Sequence, residues 1–299
     1  MGASFASALD AAKAAAGQQH YPDGALFVVA TPIGNLADVT LRALHVLRLA
    51  DAIACEDTRH TQALLRHLGI EKTGPLIALH EHNEREAAEA VIGRLRAGER
   101  IAYVSDAGTP AVSDPGARLA ASVRQAGLRV VPIPGASSVT TLLSAAGAVG
   151  HEGAFVFAGF LPAKAGERDA AVEALRAEPR AVVLLEAPHR IEALARSLAA
   201  LGERGLTVGR ELTKQFEEIA TLRCDAFAAW LEASPQRTRG EFALLLHPVE
   251  RSAEAGEGQR VLRILLDEMP LRTAVKLAAE ISGEPRNALY EEALKMKGG

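Results

Sequence analysis

Apolar and polar positions follow two periods along this chain. Short apolar runs recur at residues 26–30, 51–55, 75–79, 101–104 and 129–133, lengths that suit buried strands rather than helices. Between them, apolar residues stand three and four apart. Thr40 precedes Leu41, Leu44, Leu47 and Leu49 and can cap that helix. Residues 58–68 predict a second helix, stopped by Gly69. Asn83, with Glu86 three residues on, predicts a capping box for a helix ending near Gly98. Residues 115–126, with Asp114 as cap and Pro115 in the first turn, and residues 137–146, ending before Gly147, complete the set. Strands apolar on both faces and separated by helices predict a mainly parallel sheet covered on both sides.

Residues 147–153 are glycine-rich and predict a linker. Beyond it, strands are expected at 154–158, 181–185, 206–208, 218–222 and 242–246, with helices at 168–177, 188–201 and 225–233. Several of these strands have no helix between them, so part of this sheet must be antiparallel. Residues 252–259 predict a second linker, followed by helices at 260–268, 271–281 and 285–296. The turn Ser282-Gly283-Glu284 fits a helix-turn-helix, and equally a docked helical cap. The expected domains are a flexible amino-terminal tail at 1–24, an α/β domain at 25–149, a second α/β domain at 150–250 and a helical region at 259–297.

Three irregular loops follow strands of the first sheet. They are Thr31-Pro32-Ile33-Gly34-Asn35, the Gly/Pro/Ser/Asp-rich stretch 105–116, and Pro134-Gly135-Ala136-Ser137-Ser138. Carboxyl ends of parallel strands share one edge, so the loops can line a single crevice, where open α/β sheets bind ligands. Neither GxGxxG nor GxxxxGK[ST] occurs, and the loops are poor in Lys and Arg, which serves a polyphosphate badly. Backbone groups and a few hydroxyls suit a polar, phosphate-free ligand with a cationic centre, such as S-adenosylmethionine.

Composition narrows the class. The chain is 48% hydrophobic and 23% charged, hence globular, and its net charge of −4 confines any nucleic-acid contact to local patches. The two cysteines, Cys55 and Cys224, form no CxxC pair, which fits a reduced, cytoplasmic setting. No apolar run reaches membrane-spanning length, so no membrane association is expected. His80 and His82 alternate on one strand face, but two ligands do not make a metal site, and none is expected. Cys55 is a poor nucleophile beside Glu56 and Asp57, which raise a thiol's pKa.

Further polar groups end strands: Glu56-Asp57-Thr58-Arg59, His80-Glu81-His82-Asn83, Pro188-His189-Arg190 and Glu211-Leu212-Thr213-Lys214. With the three loops and Gly159-Phe160-Leu161-Pro162, in this order, the set resembles the ribosomal RNA small subunit methyltransferase I group of the tetrapyrrole-methylase superfamily. The match spans about residues 25 to 297. The resemblance implies two α/β domains of the tetrapyrrole-methylase (class III methyltransferase) type with a cleft between them, and a homodimer. It also implies S-adenosylmethionine-dependent 2′-O-methylation of a cytidine ribose in small-subunit (16S) ribosomal RNA.

Carried over by position, cofactor contacts are expected from Pro32, Ile33, Gly34, Asp106, Ala107, Gly108, Thr109, Pro110, Val112, Ser137, Ser138, Ala187, Gly240, Glu241 and Phe242. Leu185 departs from the family pattern, which often has an aromatic residue before Glu186, and Ala136-Ser137-Ser138 departs from its proline-containing variant. Candidate general bases are Glu186, favoured for its strand-end position, with Glu56, Asp57, His80 and Glu211. Candidate RNA contacts are Arg59, His189, Arg190, Arg210, Lys214, Arg237 and Arg239, with Arg272, Lys276, Arg286 and Asn287 on the carboxy-terminal helices. The alternatives are a tetrapyrrole (precorrin) C-methyltransferase, which shares fold and cofactor, and a non-catalytic RNA-binding factor.

Overall fold

The computed structural model describes all residues except 1–4, 72, 73, 81, 82, 113, 250–256, 298 and 299. In chain order the first half runs α1 (Ala6–Ala16), β1 (Ala25–Val29), α2 (Leu41–Leu49), β2 (Ala52–Cys55), α3 (Thr58–His67), β3 (Leu76–Ala78), α4 (Glu84–Arg96), β4 (Ile101–Val104), α5 (Gly116–Gln125), β5 (Arg129–Ile133) and α6 (Ser138–Ala146). Its five strands are ordered β3-β2-β4-β1-β5, and every pairing is parallel. Alternate residues feed two cores. Phe27, Ile53, Cys55, Ala102 and Val104 face one, while Leu26, Ala52, Ala54, Ile101 and Tyr103 face the other. This two-residue alternation is what a sheet covered on both faces requires.

The second half runs β6 (Phe155–Gly159), α7 (Ala165–Arg176), β7 (Ala181–Glu186), α8 (Ile191–Leu198), β8 (Gly205–Arg210), β9 (Glu218–Arg223), α9 (Phe227–Glu232) and β10 (Phe242–Leu246). Its order is β6-β7-β10-β8-β9, parallel between β6 and β7 and antiparallel elsewhere. One face packs under α7, α8 and α9 through residues such as Val182, Leu184, Val208 and Phe227. The other joins the first half. Ala181, Val183, Ala243 and Leu245 cluster with Ile33, Val139, Leu142 and Leu212, so α6 serves as the shared wall. Three further helices, α10 (Glu257–Glu268), α11 (Leu271–Ser282) and α12 (Arg286–Lys297), close their own core around Leu262, Val275, Ala278, Leu289 and Ala293.

Three expectations need correction. The amino-terminal segment is not a flexible tail from residue 6 on. It forms α1, whose Ala12 and Ala16 are buried and which packs on α2 beside Phe27 and Leu47. Small side chains allow that close approach, and an Ala-rich stretch shows little amphipathic contrast in sequence. Asn83 stands at the N-cap of α4, but its side chain makes no cap bond there. Its Oδ1 accepts from the His80 amide at 2.8 Å and its Nδ2 donates to the Ala78 carbonyl at 3.0 Å, closing the turn after β3. The Thr40 cap matches, its Oγ1 accepting from Ala43 N at 3.1 Å, and the structure adds a cap at Asp57, whose Oδ1 accepts from Arg59 N at 2.8 Å. The carboxy-terminal helical unit begins at 257 rather than 259, and 252–256 of the expected second linker lie outside the described residues. Among the described residues, no helix is long and apolar enough to cross a membrane.

Candidate functional site

β4, β1 and β5 are adjacent and parallel, so their following loops emerge side by side. Those loops are bonded to one another. Thr31 N donates to Gly108 O at 2.9 Å, and Gly108 N returns to Thr31 O at 3.2 Å. Gly108 has φ +79°, and a Cβ there would stand 3.2 Å from Ile33 Cγ2. The left-handed backbone and the close neighbour both call for glycine. Thr109 Oγ1 reaches across to the Ala136 carbonyl.

The second half supplies the facing wall. The antiparallel register sets Phe242 opposite Glu186, bringing the start of β10 beside the end of β7. The β8–β9 loop folds onto the first half: Thr213 Oγ1 accepts from Asn35 N at 3.2 Å, and the Lys214 side chain covers Gly34, where a Cβ would lie 2.3 Å from Lys214 Cγ. Between the halves lies a cavity of about 420 Å³, within the range of small-molecule sites.

Of the residues expected at the cofactor, Ile33, Ala107, Gly108, Thr109, Val112, Ser137, Ser138, Ala187, Glu241 and Phe242 line this cavity. Pro32, Gly34, Asp106, Pro110 and Gly240 are not in the lining. Pro32 and Pro110 are buried beneath the loops, Gly34 lies under Lys214, and Gly240 abuts Glu211, whose Cγ would be 2.4 Å from a Cβ there. Asp106 turns away, its Oδ1 accepting from Asp57 N at 3.3 Å. The lining also includes Leu185, the departure from the family pattern, and Val139, Phe160, Pro188, Leu212 and Ala243, none of which is among the expected site residues. Strand ends at Phe160 and Leu185 carried a signal for this; the β10 register did not.

Glu186 lines the cavity and is 3% exposed. Its Oε1 accepts from Ala187 N at 2.8 Å and lies 3.0 Å from Arg190 Nε. Its Oε2 is buried with no hydrogen-bond partner among the described residues. A buried acceptor left open beside a cavity is suited to a ligand donor. The charged lining consists of Glu186 and Glu241, with no Lys or Arg among the described residues. That field favours a cation and opposes phosphate.

The other candidate bases stand outside the cavity lining. Glu56 is half-buried at the end of β2 and accepts from Asp106 N at 3.3 Å. Burial pushes its carboxyl up to about 7, against the Asp106 amide bond, with Asp114 and Asp106 adding repulsion. Asp57 is held well below the ordinary range by the Arg59 guanidinium and amide. Burial raises Glu211, but bonds from Lys214 Nζ at 2.8 Å and Glu241 N at 2.9 Å outweigh it and hold the carboxyl low. Its partners make it a brace for the β8–β9 loop. His80 is exposed after β3, and His82 lies outside the described residues. The Cys55 thiol is raised chiefly by burial, opposed by its bond to Thr61, with the neighbouring carboxylates contributing less.

The basic residues divide. Arg59, His189 and Arg239 are exposed. Arg190, Arg210, Lys214 and Arg237 each have partners within the fold. Arg190 holds Glu186 and the Leu161 carbonyl. Arg210 is buried and donates to the carbonyls of Arg239 and Phe216. Lys214 sits between Glu211 and Glu241. Arg237 pairs with Glu218 at 2.7 Å and lies 4.2 Å over the Trp230 ring.

Comparison with known proteins gives two family matches: tetrapyrrole (corrin/porphyrin) methylases over residues 25–228 and the RsmI C-terminal HTH domain over residues 252–297. The chain is 46% identical to ribosomal RNA small subunit methyltransferase I of Escherichia coli O157:H7 over 279 residues, 92% of this chain and 96% of that protein. It is also 46% identical to the protein of that name from Pseudomonas aeruginosa, over 92% of this chain and 98% of that one. Among solved structures, uroporphyrin-III C-methyltransferase from Thermus thermophilus aligns with TM-score 0.53 and 22% identity over 75% of this chain and 94% of that one. A diphthine synthase aligns with TM-score 0.57 and 15% identity over 75% and 90%. Both structural likenesses concern the two-domain fold.

Proposed function

The chain belongs to the tetrapyrrole methylase family, in its ribosomal RNA small subunit methyltransferase I branch, and from that premise we propose that it methylates the 2′-hydroxyl of a cytidine ribose in small-subunit ribosomal RNA. The methyl donor in this reading is S-adenosylmethionine, the working unit is a homodimer, and the reaction takes place in the cytoplasm. The observation that carries it is the cavity lining. Three loops, the one after β4 bonded to both of the others, face two carboxylates without a single Lys or Arg among the described residues of the lining, which fits a cationic donor lacking phosphate. Bound there, S-adenosylmethionine supplies a methyl group already activated by its sulfonium.

The protein's task is then positioning and proton removal. Gly108 and Thr109, tied to Thr31 and Ala136, hold the loop backbone fixed, so little reorganisation is needed on binding. Glu186, which lines the cavity and has an unpartnered Oε2, accepts the ribose hydroxyl proton in this reading, an assistance of the kind worth about 10²–10⁴-fold. Arg190 fixes the other carboxylate oxygen and so sets the direction in which Oε2 faces.

Arg59, paired with Asp57, and Arg239 are the exposed cations available for phosphate contacts, with His189 exposed beside them as a hydrogen-bonding group. Arg272, Lys276, Arg286 and Asn287 are all exposed on α11 and α12, supporting a second docking surface on the helical unit. With a net charge of −4, such local patches favour a folded ribonucleoprotein target over loose RNA.

The test is to incubate the protein with labelled S-adenosylmethionine and small ribosomal subunits lacking the modification, then digest the RNA. The expected result is label in a nuclease-resistant dinucleotide containing a 2′-O-methylcytidine. Label on a base, or none on RNA, refutes the proposal.

A further inference from the structure

β6 does not end regularly. Its register against β7 shifts between Phe157 and Gly159, and Gly159 takes φ +64° while buried. A bulge with a left-handed glycine re-aims the next side chain. Here that side chain is Phe160. It lines the cavity yet remains 51% exposed, whereas Leu161, one residue on, returns to the core at 6%. The other aromatic ring of the lining, Phe242, is 3% exposed.

The segment is braced. Arg190 donates through Nη2 to the Leu161 carbonyl, and its Nε faces the Glu186 carboxylate. One guanidinium therefore links the loop carrying Phe160 to the carboxylate with the open oxygen. The result is a half-exposed aromatic ring on a braced backbone, lining the same cavity as Glu186.

We propose that Phe160 is the platform on which the target nucleobase stacks while its ribose hydroxyl meets Glu186. The inference rests on the RNA-methylation reading above and extends it. A ribose inside a folded RNA is reached by holding its nucleotide out of the stack, and such nucleotides are commonly received by aromatic rings. The exposure of Phe160 leaves a ring face free for this purpose, and an anchored ring loses little freedom when a base settles on it.

The experiment compares wild type with Phe160→Ala, Phe160→Leu and Phe160→Tyr, using unmodified small subunits and S-adenosylmethionine. Each is measured for the KM of subunits, for cofactor Kd by calorimetry and for thermal stability. Stacking on an aromatic side chain predicts a rise in KM of about tenfold or more for Ala and Leu, well beyond any change in cofactor Kd, with melting temperature unchanged and near-normal KM for Tyr. Unchanged KM in the Ala variant, wild-type behaviour in the Leu variant, a loss of cofactor affinity as large as the rise in KM, or a fall in melting temperature overturns the proposal. If the wild type methylates no subunits, the parent reading fails and this one falls with it. If it does and only the Phe160 pattern is absent, this inference alone fails.

Discussion

Thr109 Oγ1 lies 2.9 Å from the carbonyl oxygen of Ala136 and donates to it. This bond joins the loop after β4 to the loop after β5, across the intervening β1. Thr109→Val keeps the shape and removes the donor. The expected cost is about 1 kcal/mol, lowering the melting temperature by about 2–4 °C. Because the same loops line the cavity, cofactor Kd should rise about fivefold on the same energy scale. Scanning calorimetry and titration calorimetry measure the two effects.

Glu186→Gln keeps the size and one acceptor oxygen but removes the charge. Arg190, half-buried beside it, loses its ionic partner. Methyl transfer under single-turnover conditions should slow by about 10²-fold or more if Glu186 takes the proton. A variant with wild-type single-turnover rate would remove Glu186 from that role.

Glu56 gives a pH signature. Its folded carboxyl titrates near 7, above the ordinary 4.5. Between these values the folded state binds more proton than the unfolded chain, so stability falls as pH rises from about 4.5 through 7. Glu56→Gln retains an acceptor for the Asp106 amide and removes the titration. The variant should melt higher than wild type at pH 8 and show no such gain at pH 4, where Glu56 is neutral in both states. Melting curves across this range decide it; equal gains at both pH values would count against burial of the charge as the cause.

Two sets of arginines should separate cleanly. Arg210→Met leaves the carbonyls of Arg239 and Phe216 without their donor and is expected to destabilise the fold by about 1–3 kcal/mol. Arg59→Ala with Arg239→Ala should leave the melting temperature nearly unchanged, since exposed pairs such as Arg59–Asp57 contribute little. That double variant should instead weaken binding to small subunits and reduce the salt slope by about 2. Binding measured at several salt concentrations provides the check.

Much of this was legible in the sequence because it depends on local pattern and strand direction. The apolar runs located the strands. Parallel order then placed loops 30–36, 105–115 and 134–138 on one edge, and their residues meet there. What stayed hidden depends on partners distant in sequence. Arg210 and Arg239 look alike as residues, yet one bonds to two carbonyls in the interior and the other faces solvent. The role of Glu211 follows from Lys214 and Glu241 together. The place of Leu212 in the cavity follows from the fold of a loop onto the opposite half. Helix α1 was missed because alanine marks no face of its own.

The seam formed by Ile33, Val139 and Leu142 against Ala181, Val183 and Leu245 makes the two lobes obligate companions. Severed in the connection after α6, the amino-terminal lobe would carry a greasy helix face into water, and each lobe would keep only half a groove. The cavity is therefore a joint product of the two lobes, and neither lobe on its own would retain it.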